Sequence, residues 1–99
     1  MKKIEKEPLI KGVFTSEEAK EILSNLFESK IYFHQISALG IEERTGINSP
    51  FHKKRISELS GSLKNIIKVI RLASKNNLSL KISCDVKIEI KEALKKPNV

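Results

Sequence analysis

The stretch 78-LSLKISCDVKIEI-90 alternates without a break. Leu78, Leu80, Ile82, Cys84, Val86, Ile88 and Ile90 are apolar, and every residue between them is polar. A period of two predicts a β-strand with one dry face and one wet face. At about 3.3 Å per residue such a strand spans roughly 43 Å. That length decides what the rest of the chain must supply: a cover for the dry face and partners for the edges.

The cover comes from the preceding segment. Ser49-Pro50 is a helix start, because serine accepts hydrogen bonds from free backbone amides and proline at the first helical position gives up a donor that has no partner anyway. Ile56, Leu59, Leu63, Ile66, Ile70 and Ala73 then follow at alternating spacings of three and four, a narrow apolar seam. Asn76-Asn77 closes the helix. From Pro50 to Lys75 it measures roughly 39 Å at about 1.5 Å per residue, close to the length of the strand.

A second helix starts at Thr15, whose hydroxyl and the Glu18 side chain form a capping box, with Glu17 and Glu18 placed at the positive end of the helix dipole. Ala19, Ile22, Leu23, Leu26, Phe27, Phe33 and Ile36 predict an apolar stripe running to about Leu39. Two ends are compatible with the sequence: a left-handed cap at Gly40 followed by Ile41, or further turns of helix to Gly46. Residues 8–14, PLIKGVF, read as a shorter strand at a sheet edge, since Pro8 has no donor for the ladder.

The expected fold is α+β in the order β-α-α-β: an antiparallel helical hairpin packed on an antiparallel sheet that contains the long C-terminal strand, with the hairpin covering its whole apolar face. At 99 residues this is one domain, 1–99, with 1–7 and 92–99 as flexible tails. The first strand is about half the length of the second, so much of the long strand lacks a partner. A two-stranded sheet is also marginal in water. Both points predict a homo-oligomer, most simply a two-fold dimer in which long strands from two chains join one sheet.

A single cysteine forbids an internal disulfide and fits a reducing cytoplasm. Met1-Lys2-Lys3 is followed by Glu5, Lys6 and Glu7 where a secretory leader needs apolar residues, and no apolar run approaches the length of a membrane span. A cytoplasmic protein without a membrane partner is expected.

The net charge of +7 is concentrated in residues 50–77, where seven cations face one carboxylate, Glu58. Lys54, Lys64, Lys68, Arg71 and Lys75 lie opposite the apolar seam, and Lys53 and Arg55 join them near the helix start. Such a stripe can bind nucleic acid, although no aromatic residue interleaves it for base stacking, so the contacts would be to phosphates. A lysine-rich outer face is also the ordinary way to keep a helix in water. Glu17, Glu18 and Glu21 are expected beside Lys68, Arg71 and Lys75, neutralising part of the stripe.

No cofactor or metal site is expected. With the turn centred near Ile47 and Asn48, His34 and His52 should lie about 13 Å apart along the hairpin. Cys84 sits among aliphatic neighbours and reads as a small inert hydrophobe. No phosphate-binding glycine loop or nucleophile elbow is present. Gly61, between Ser60 and Ser62 on the outer face of its helix, suggests close approach of a neighbouring chain. The sequence therefore favours a small non-enzymatic module that assembles with copies of itself and serves interaction or scaffolding. A phosphate-binding, nucleic-acid-associated protein is the alternative, and an enzyme subunit with a site between chains comes third.

Overall fold

A computed structural model describes residues 3–92 of the chain. Strand β1 (Ile4–Phe14) leads into helix α1 (Ser16–Thr45), followed by helix α2 (Pro50–Lys75) and strand β2 (Leu80–Glu89). The strands form one antiparallel pair, the helices an antiparallel hairpin, and α1 is the element that meets both strands. The β-α-α-β order and the helical hairpin packed on the sheet are those expected from the sequence.

The helix boundaries follow from their caps. Thr15 accepts from the Glu18 amide at 3.1 Å while Glu18 reaches back to the Thr15 amide at 2.9 Å. Ser49 accepts from the His52 amide at 3.3 Å and Pro50 takes the first helical position. Of the two possible ends of α1, the later one is found: Gly46, at φ +71°, is the left-handed cap, and its amide donates to the Glu42 carbonyl. Asn77, at φ +54°, turns the chain out of α2 in the same left-handed region, which asparagine tolerates better than most residues.

Strand β1 corrects two expectations. It begins at Ile4 rather than Pro8, so residues 4–7, assigned above to a flexible tail, are ladder; residues 1–2 and 93–99 lie outside the described residues. It is also as long as β2 and pairs with it throughout, from Ile4 opposite Glu89 to Phe14 opposite Leu80. The long strand is thus not half unpartnered along its inner edge. Glu5-Lys6-Glu7 shows no apolar alternation, and backbone pairing with β2 recruits it, joined by an exposed Lys6–Asp85 ion pair. What stays open are the outer edges of both strands, because the sheet has only two.

The pairing slips between Pro8 and Ile10, leaving Leu9 as the extra residue of a bulge. Residues directly opposite in an antiparallel ladder point to the same face. On the root side of the bulge, Phe14, Gly12 and Ile10 therefore share the dry face with Leu80, Ile82 and Cys84. Beyond it the alternation of β1 is inverted, and Glu7 and Glu5 stand beside Val86 and Ile88. The dry face changes accordingly. Leu80, Ile82 and Cys84 are half-buried, whereas Val86, Ile88 and Ile90 are exposed. The hairpin covers the root of the strand pair, not its whole apolar face as expected.

Within the hairpin, the seam of α2 turns inward as its spacing predicts, ending on buried Ile70 and Ala73. Helix α1 is different. Phe33, Ile36 and Leu39 are about half exposed, and Ile31, His34, Ala38 and Ile41 face α2 instead. The inward stripe is displaced from the expected one because the polar His34 occupies a seam position. Helix α1 consequently carries apolar residues on two sides.

The molecule is thin, with extents of 50 × 37 × 14 Å and a radius of gyration of 17.1 Å, where a compact chain of this length has about 13 Å. Its accessible surface is 8157 Å², against roughly 5,700 Å² expected for a folded monomer of this mass. No helix among the described residues is long and apolar enough to cross a membrane.

Candidate functional site

Buried within the hairpin is a histidine pair. His34 comes from the middle of α1 and His52 from the first turn of α2, and their Nδ1 atoms lie 2.8 Å apart. This corrects the 13 Å separation expected above. Connection 46–49 does not act as a tight turn: Gly46 bends left-handed, Ser49 is extended and almost wholly buried, and the chain runs back along α1. Phe51 and His52 thereby reach His34 instead of the last turn of α1, the Phe51 and His34 rings lying 6.2 Å apart edge to face.

A 2.8 Å contact between two ring nitrogens needs one hydrogen and tolerates only one, so at least one Nδ1 is a bare acceptor. His34 Nε2 is buried with no partner. A bare nitrogen costs less there than an orphaned N–H, which places the shared proton on His34 Nδ1 as donor, with His52 Nδ1 accepting. Burial lowers the His34 pKa, reinforced by the positive charge of Lys30, by His52 and by Arg55. Phe33 and Phe51 pack edge-on around the two imidazoles. Two imidazoles supply half of a tetrahedral metal site, and no group of three or more metal-ligating side chains occurs among the described residues. The pair joins the middle of α1 to the first turn of α2.

One broad face of the hairpin carries an open groove of about 720 Å³. Ile31 of α1 and Leu63 and Ile67 of α2 line it with apolar surface, while Lys64, Lys68 and Arg71 add three cations from α2; Glu28 stands on the α1 side. Three of the seven cations singled out from the sequence thus converge. The others do not join them: Lys53 and Lys54 are exposed at the start of α2, Lys75 at its end, and half-buried Arg55 is held by Glu58 at 2.7 Å. The expected pairing of Glu17, Glu18 and Glu21 with Lys68, Arg71 and Lys75 is absent; the ion pairs among the described residues are Lys6–Asp85, Arg55–Glu58 and Lys91–Glu89.

The opposite charge gathers at the far end of the strand pair, where Glu5 and Glu7 flank Val86 and Ile88 on one face. A hydrogen bond with Glu5 raises the Glu7 pKa. Sequence reading missed this pair because it assigns residues 1–7 to a tail; as strand they share one face, and the bulge sets that face beside Val86 and Ile88. Cys84 is half-buried, and a side chain at Gly61 would meet open space, so the close approach suggested for that glycine is not made within the chain.

In comparisons with protein families, curated proteins and solved structures, nothing matches this chain.

Proposed function

We propose that the chain is a non-enzymatic, self-assembling interaction module whose core is completed between copies. One observation carries this reading: among the described residues five apolar side chains are buried and sixteen large ones are exposed. Isolated exposed apolar residues are ordinary, but here they form continuous strips, Val86 and Ile88 on β2 with Ile90 just after it, and Phe33–Ile36–Leu39 on α1. A surface of this kind is the usual mark of a protein–protein contact. Open edges on both strands add to it. Size-exclusion chromatography with light scattering at about 50 micromolar tests the reading, since assembly is governed by mass action. A mass of two or more chains is expected; a single-chain mass of 11.2 kDa would remove it.

A second reading is favoured by the unpaired cations of α2. Lys53, Lys54, Lys64, Lys68, Arg71 and Lys75 have no carboxylate partner among the described residues, leaving a basic field that phosphates could enter. With about four phosphate contacts, affinity for generic duplex or single strands falls on the order of a hundredfold between 50 and 200 mM salt. Absence of any gel shift at the lower salt would dismiss this alternative.

A further inference from the structure

The exposed end of the strand pair and the groove between the helices complement each other in both polarity and charge. The first offers two aliphatic side chains, Val86 and Ile88, beside two carboxylates, Glu5 and Glu7. The second offers Ile31, Leu63 and Ile67 beside Lys64, Lys68 and Arg71. In each, the apolar row and the charged row run side by side. On the strand pair the aliphatic residues belong to β2 and the acids to β1, about 5 Å away across the ladder. In the groove, residues 64, 68 and 71 lie at spacings of four and three and form one charged ridge of α2, beside the apolar lining at 63 and 67.

We propose that the strand-pair end of one copy docks into the interhelical groove of a second copy, β2 against the apolar lining and the β1 acids against the α2 ridge. The inference rests on the self-assembly reading and names its interface. It accounts for a relationship that a single chain leaves unresolved: two carboxylates on one face of the strand end that make no ion pair among the described residues, and three cations lining a groove in which Glu28 is the sole acid. Docking brings these charges together and removes apolar surface from water on both sides. The contact joins two different surfaces, so two copies satisfy both when related by a two-fold axis; otherwise the contact propagates into a longer assembly.

Charge exchange tests it without disturbing the fold, because the four residues altered are exposed. The variant E5K/E7K has a basic strand end facing a basic groove, and K64E/K68E has an acidic groove facing an acidic strand end. Each alone should associate at least tenfold more weakly than the original chain, as judged by sedimentation velocity at matched helix content. Mixed one to one, both contacts become attractive again, and the mixture should recover the mass that neither variant reaches alone. Assembly unchanged in either variant, or no recovery on mixing, would overturn the docking while leaving self-assembly standing. A single-chain mass for the original protein would overturn both. If the groove cations serve a nucleic acid instead, K64E/K68E abolishes a gel shift, E5K/E7K strengthens it, and both variants keep the assembly mass of the original chain, which overturns the docking.

Discussion

His34 and His52, eighteen residues apart in sequence, share a single hydrogen between Nδ1 atoms 2.8 Å apart. The contact fastens the connection end of the hairpin, where Ile41 and Ser49 are also buried, as Ala19, Ile70 and Ala73 are buried towards the strand end. The contact fixes where α2 starts along α1, and so shapes the groove further along.

That role predicts a non-additive pattern. His34→Phe or His52→Phe alone leaves the remaining Nδ1 buried without a partner, a loss of about 1–3 kcal/mol. The double substitution removes both polar groups, so its cost should be smaller than the sum of the two. Urea denaturation of the four proteins measures the coupling; strict additivity would show that the hydrogen bond is not formed.

The pair also makes stability depend on pH in a defined direction. Burial lowers the His34 pKa below the ordinary 6.5, so the unfolded chain binds more protons than the folded one as the pH drops past that value. Stability is complete above the unfolded value and declines as the pH falls from there through the folded value. Lys30 and Arg55 contribute to the same trend, since their charges also disfavour an imidazolium. Chemical denaturation across this range should give a slope that His34→Phe abolishes. A slope retained in the variant would assign the effect to other groups.

The glycines of the two helices should respond in opposite ways. Gly46 has a positive φ and open space around it, so Gly46→Ala costs about 1 kcal/mol through conformation alone. Gly61 lies in regular helix with nothing near its position, and Gly61→Ala should stabilise by about 0.5–1 kcal/mol. Thermal unfolding of the two variants checks both signs. Loss of stability or of assembly in Gly61→Ala would show that a second copy approaches the backbone there.

Much of this architecture was legible in local chemistry. The Thr15–Glu18 capping box, Ser49-Pro50 and Asn76-Asn77 each act within a few residues and appear where the sequence puts them, and the alternation of 78–90 gives β2, shorter at Leu80–Glu89. What was not legible depends on contacts between elements. Glu5-Lys6-Glu7 becomes strand because β2 offers a backbone ladder, not because of its own pattern. Phe33 and Ile36 have helical spacing yet face outward, because α1 has apolar residues on two sides and spacing does not say which side α2 takes. The histidine contact depends on the path of residues 46–49, and the placing of Glu5 and Glu7 beside Val86 and Ile88 on a bulge of one residue. The cations of α2 were readable as a stripe, but their convergence on the Ile31–Leu63–Ile67 groove was not.

Completion of the fold by a second copy of the chain, as proposed, is tested most directly by the thermal midpoint as a function of protein concentration. Assembly coupled to folding predicts a midpoint that rises steadily with concentration by mass action. A midpoint independent of concentration over about two orders of magnitude would show that one chain is stable by itself and would contradict the account.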